Sequence, residues 1–124
     1  MKTKVYYEDT DAGGVVYHTN YLKYCERARS ELFFSRGLMP FDGENSGFLV
    51  KSVNAKFLSS AKLGDTLEIK TEIINIKRVS IELNQSIYRD NIKIFDSEIV
   101  LAFVKRGKLS KIPEKFVNIF KICN

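Results

Sequence analysis

The sequence contains no tryptophan, one histidine, two cysteines and two prolines, and these shortages exclude several functions. Cys25 and Cys123 lie far apart and His18 is the only imidazole, so no set of residues at metal-ligand spacing exists and a zinc site is not expected. The two thiols are expected to stay reduced, with Cys25 packed on a helix face and Cys123 spare. The longest strongly apolar run, Ile99 to Val104, falls well short of the roughly 20 residues a membrane-spanning helix requires. Met1 leads directly into the strand-like run Lys2 to Tyr7 with no leader pattern, so a cytoplasmic protein is expected. No DNA- or RNA-binding motif is visible, and the basic residues are scattered, which argues against nucleic acid as partner.

What is present fits a folded chain. With 124 residues, 44% of them hydrophobic and 28% charged, it reads as a single domain spanning residues 1–124, near the size at which oligomerisation adds useful burial. The net charge of +5 favours an acidic partner: nucleic acid, coenzyme A and an acidic carrier protein all carry the right sign. Lys23, Arg27, Arg29 and Arg36 fall on one predicted helix and read as its solvated face. Lys105, Arg106, Lys108 and Lys111 form a tighter group and are better candidates for nucleotide phosphates.

The most informative stretch runs from Val5 to Glu31. Asp9, Thr10 and Asp11 precede Ala12, Gly13 and Gly14, where two residues without Cβ let the backbone turn tightly or approach a ligand. After Val15 to Asn20, apolar residues recur at Tyr21, Tyr24, Cys25, Ala28 and Leu32, the spacing of one buried helix face. Asn20 or Thr19 is the natural cap. A helix start offers unpaired N–H groups and the positive end of a dipole, suited to a carbonyl oxygen gaining charge. With a carboxylate in the preceding loop, this suits attack on an activated carbonyl. Asp11 could add to it directly or deprotonate a water. A thioester fits better than an amide, because a thiolate leaves without a strong general acid.

The residues Tyr6 to His18, with Asn20, Tyr21, Glu26, Arg27, Ala28 and Arg29, resemble the YbgC branch of the hot-dog-fold acyl-CoA thioesterases, relatives of 4-hydroxybenzoyl-CoA thioesterase. The resemblance implies a hydrolase of acyl-CoA thioesters that works in lipid metabolism without a cofactor, coenzyme A being part of the substrate; acyl carrier protein is a further candidate partner. It implies that Asp11 is the catalytic carboxylate, that the backbone from His18 to Asn20 polarises the thioester carbonyl, and that Tyr7 and His18 line the same site. Gly14, Val16, Tyr17 and Asn20 join the expected substrate-binding set, with Lys105 and Arg106 at the phosphates. It also implies a homodimer with active sites at the subunit interface, often paired again as a homotetramer.

The remaining chain reads as β-rich. The helix should run from Asn20 to Ser35 or Arg36, stopped by Gly37 and Pro40. Alternation marks strands at Val53 to Phe57, Leu67 to Ile73 and Val79 to Ile87, with turns at Leu63-Gly64-Asp65, Lys77-Arg78 and Arg89-Asp90-Asn91. The last strand ends in Ile99 to Val104, apolar on both faces and so expected to be covered on both. Pro113 suits the start of a closing helix, Glu114 to Ile122. The expected class is α+β, an antiparallel five-stranded sheet wrapped around a long central helix, the hot-dog fold.

Other readings use the same residues. Another thioesterase branch of the superfamily draws its carboxylate from the long helix, which brings in Glu26 and Glu31; hydratases of this fold use a histidine, which brings in His18. A module that binds acyl-CoA or acyl carrier protein without fast turnover is the non-enzymatic alternative. Asp11 could be an ordinary turn residue, and Asp9 is expected to hold the loop. The acyl chain is not legible, although Phe41, Phe48, Leu49, Val50 and Phe57 could line its path.

Overall fold

The structure, a computed structural model, describes residues 1–43 and 45–123. Along the chain come β1 (Lys2–Lys4), α1 (Asn20–Phe34), β2 (Ser46–Phe57), β3 (Thr66–Ile76), β4 (Ser80–Arg89), β5 (Ile92–Lys105), β6 (Lys108–Leu109) and α2 (Glu114–Cys123). The strands form one antiparallel sheet in the order β1-β3-β4-β5-β2, with the short β6 hairpinned onto the end of β5. The sheet curls around α1, as the hot-dog fold requires, and α2 closes one end against α1 and β3. β6 is an addition to the five strands expected.

Alternation explains the curl. On the concave face Ile69 pairs with Ile87, Ile73 with Leu83, Leu83 with Ile99 and Ile81 with Leu101. These apolar side chains are buried against Tyr21, Tyr24, Cys25, Ala28 and Phe33 of α1. The other face carries Glu72, Glu82, Asn84, Asp96 and Glu98, and among the described residues no helix covers it. One row breaks the apolar pattern: Thr71, Gln85 and Ser97 lie side by side across β3, β4 and β5. Gln85 accepts from the Arg29 guanidinium at 2.8 Å and donates to Cys25 O at 2.9 Å and Thr71 Oγ1 at 3.1 Å. Arg29 is therefore not part of the solvated face expected for the basic residues of α1; its head turns inward to a buried amide, and burial lowers its proton affinity.

β2 is longer than its alternation suggested and differs from the other strands in burial. It pairs only with β5, so its outer edge is open among the described residues. A bulge at Lys51 shifts its phase and brings Phe48, Val50, Val53, Ala55 and Phe57 to the concave side. α1 touches only part of this row, Phe33 meeting Phe48 and Tyr21 meeting Phe57, and Val50, Val53 and Phe57 stay about half exposed.

Candidate active site

The loop before α1 is built by the sequence Asp11-Ala12-Gly13-Gly14. A bridge between Thr10 and Val16 closes it, Asp11 N–H donates to Val15 O at 2.9 Å, and Gly14 N–H donates to Asp11 O at 3.0 Å. Inside this ring the Asp11 carboxylate folds back, its Oδ1 accepting from Gly13 N–H at 2.8 Å and Val15 N–H at 3.4 Å. Glycine is needed at one position and eases packing at its neighbour. Gly14 has φ of 78°, the left-handed region, and a Cβ on Gly13 would lie 3.3 Å from Asp11 Oδ1. The loop thus fixes one carboxylate oxygen on its own amides, while Oδ2 has no partner among the described residues and the side chain is exposed.

The helix start follows within a few residues. Asn20 N–H donates to Tyr17 O at 2.9 Å and Leu22 N–H to Thr19 O at 3.2 Å, whereas the amides of His18 and Thr19 find no acceptor among the described residues. Thr19, at the capping position, makes no side-chain cap. Two open N–H groups at the positive end of a four-turn helix can stabilise an oxygen that is gaining negative charge. The His18 ring lies beside Tyr17, with centroids 4.4 Å apart, and edge-on to Phe57 at 6.3 Å; it makes no hydrogen bond among the described residues.

Asp9 is held quite differently from Asp11. It is 4% exposed; Oδ2 accepts from Tyr6 N–H at 2.9 Å and Oδ1 from Asn20 Nδ2 at 2.8 Å. Its carbonyl accepts from Tyr17 N–H at 3.0 Å. The fully buried Tyr24 hydroxyl makes no hydrogen bond of normal geometry. It faces the same carboxylate, and burial, followed by the closeness of Asp9, holds its ionisation above the ordinary tyrosine range.

A carboxylate with one oxygen free, set in a loop that feeds a helix start with two open amides, is the equipment of an acyl-transfer site. The family model for the thioesterase superfamily matches residues 13–95, more than half of the chain. The chain belongs to the thioesterase superfamily. As a member it is a thioester hydrolase. It is 46% identical over 121 residues to the acyl-CoA thioesterase YbgC of Helicobacter pylori (strain ATCC 700392 / 26695), covering 90% of each chain. To the acyl-CoA thioester hydrolase YbgC of Escherichia coli O6:H1 it is 36% identical over 126 residues, covering 95% of this chain and 92% of the other. Among solved structures, a protein from Aquifex aeolicus superposes with a TM-score of 0.90 over 97% of each chain, at 21% identity, which establishes the shared fold.

In this thioesterase the residues expected at the site are only partly assembled by one chain. Tyr7, on a 3-10 turn, is 83% exposed, and Tyr17 and His18 are exposed beside it in sequence. Gly14 is in the loop itself. Val16 is buried, its N–H tied to Ala61 O at 2.9 Å. Asn20 is likewise turned inward, its amide committed to Asp9. Lys105 and Arg106 are exposed, but at the other end of the sheet: Lys105 is paired with Ser46, and Phe95, ten residues earlier on β5, with the Phe57 that meets His18. At about 3.3 Å per residue the basic hairpin is about 30 Å from the loop end of the same chain.

Of the helix carboxylates, Glu26 accepts from Ser30 Oγ at 2.9 Å and Glu31 is exposed. Glu26 also borders an apolar cleft of about 290 Å³ between α1 and the start of β2, walled by Phe33, Phe41, Phe48 and Val50 with Arg29 at its side. Phe41, Phe48 and Val50 thus gather as an acyl path requires, whereas Phe57 sits with His18 and Leu49 is half exposed on the other face. Among the described residues no group of three or more His, Cys, Asp or Glu could hold a metal, and no helix is long and apolar enough to cross a membrane.

Proposed function

We propose that this enzyme hydrolyses acyl-CoA thioesters to free acid and coenzyme A, with Asp11 as the reacting carboxylate. The observation that carries this is the loop that anchors Asp11 Oδ1 on two amides and leaves Oδ2 open, a few residues before the unpaired amides of His18 and Thr19. Two relatives named for acyl-CoA substrates, each aligned over nine-tenths of this chain or more, support the choice of thioester. In one route Oδ2 adds to the thioester carbonyl, the C–S bond breaks to release coenzyme A thiolate, and water then cleaves the acyl-Asp11 anhydride. In the other, Asp11 takes a proton from the attacking water and the same C–S bond breaks. In both, the carbonyl oxygen becomes an oxyanion facing the helix start.

The active unit is a homo-oligomer. β2 presents an open edge and a half-exposed apolar strip of Val50, Val53 and Phe57, and antiparallel pairing of two such edges about a two-fold axis is the closed way to cover them. That pairing sets the Ser46 end of one copy beside the Phe57 end of the other. Lys105 and Arg106 of one subunit then serve the nucleotide phosphates of a substrate whose carbonyl lies at the other subunit's Asp11, with the apolar cleft as a place for the acyl group.

The test is Asp11→Asn, assayed by thiol release from acyl-CoA across chain lengths and aromatic acyl groups. Hydrolysis should fall by about a thousandfold or more, with KM and oligomer size unchanged. Wild-type rates in that variant would overturn the assignment. The non-catalytic reading rests on the Oδ1 bonds, which an ordinary turn aspartate also makes; it requires coenzyme A thioesters to bind the wild type without thiol release.

A further inference from the structure

Two donors converge on the buried carboxylate of Asp9, from two segments that the reaction needs in register. Tyr6 N–H marks the start of the 3-10 turn that leads to Asp11 and Asn20 Nδ2 the first residue of α1; the Tyr24 hydroxyl, one turn further along the helix, faces the same carboxylate without a hydrogen bond. Asp9 O also receives Tyr17 N–H, and Tyr17 O receives Asn20 N–H, so the backbone between the loop and the helix start is stitched to the same residue. No cation lies within ion-pair distance of this carboxylate among the described residues. Its charge is balanced by donors and by the helix start alone. A carboxylate accepts from both donors without any rearrangement, whereas a carboxamide there would turn an N–H at one donor unless the Asn20 amide flipped to meet it.

We infer that Asp9 is a positioning residue of the thioesterase, holding the Asp11 loop against the open amides of His18 and Thr19, with the buried Tyr24 hydroxyl beside it. This rests on the assignment of Asp11 as the reacting group. The carboxylate two residues before Asp11 thus does not touch substrate; it sets where Asp11 stands relative to the helix start. A misplacement of about 1 Å between reacting groups costs about a hundredfold in rate.

The test compares Asp9→Asn, Asn20→Asp, the double exchange Asp9→Asn with Asn20→Asp, and Tyr24→Phe, each by kcat, KM and thermal unfolding on the intact protein. Asp9→Asn should lower kcat by about a hundredfold with KM within about twofold of wild type. The double exchange returns a donor and an acceptor to facing positions, and should recover about tenfold or more of that loss. Tyr24→Phe removes a buried hydroxyl that has no proper bond, so it should keep or raise the melting temperature while lowering kcat by about fivefold. A structural role alone would move stability and rate together. The inference is overturned if folded Asp9→Asn keeps wild-type kcat or if the double exchange is no faster than Asp9→Asn. Should Asp9→Asn fail to fold, an unchanged kcat in Tyr24→Phe overturns it. Wild-type hydrolysis, measured alongside, separates this failure from failure of the thioesterase reading, which would show as no turnover in any variant.

Discussion

Gln85 occupies an inward slot of β4 where its neighbours Leu83 and Ile87 are apolar, and that choice is explained by what sits above it. The Cys25 carbonyl and the Arg29 guanidinium both need a partner on the concave face, and one carboxamide serves both. Gln85→Ala should therefore destabilise the protein by about 2 to 4 kcal/mol, because it strips a buried acceptor and a buried donor at once; urea unfolding reads this directly. Cys25 itself is a packed thiol, pushed up by burial to about 11. Folding therefore favours its protonated form. The associated stability is present below the unfolded value near 9 and is lost as pH rises through 11. Cys25→Ala should flatten the alkaline fall in unfolding midpoint over that range, and the native thiol should resist alkylation at neutral pH. At the site, His18 is exposed and makes no hydrogen bond among the described residues. His18→Ala should leave the melting temperature unchanged, and a loss confined to kcat, of about tenfold to a hundredfold, would mark its part in the chemistry.

Among the elements, α1 was the most legible. Its apolar spacing, Gly37 and Pro40 place it within two residues of its actual end, because period and stop signals are local properties of the chain. The turns at 63–65, 77–78 and 89–91 were legible for the same reason; Asp90 and Asn91 adopt φ of 50° and 64°, which their short polar side chains tolerate. β2 was less legible. Its first half breaks alternation at the Lys51 bulge, so only Val53 to Phe57 read as strand. The aromatic group that seals α2 was not visible at all: Phe33, Phe48, Phe103, Phe116 and Phe120 come from four elements and meet with ring centroids 5.1 to 6.1 Å apart. Phe116→Ala should cost about 3 to 5 kcal/mol in chemical denaturation, since it empties the centre of that group and detaches α2.

The whole molecule poses a question that one chain cannot answer, because Asp11 and the basic hairpin stand at opposite ends of the same sheet. If the substrate bridges two copies, subunits with complementary defects should rescue each other. Asp11→Asn homodimers should be inactive, and Lys105→Ala with Arg106→Ala should raise KM for acyl-CoA. Mixed after unfolding and refolding, the two variants should yield hybrids with one normal low-KM site, formed by Asp11 of one chain and the hairpin of the other. Steady-state kinetics of the mixture checks this, and a site contained within one chain would show no low-KM component. The sequence by itself determined the helix, the strand alternation, the tight glycine loop and the family they resemble, because each is written in neighbouring residues. Only the tertiary structure decided that Asp9 is buried and Asp11 open, that Arg29 turns inward while Arg27 does not, and that Val16 and Asn20 are buried. Those outcomes depend on which segments meet across the sheet and helix, and pairings between distant residues leave no local period to read.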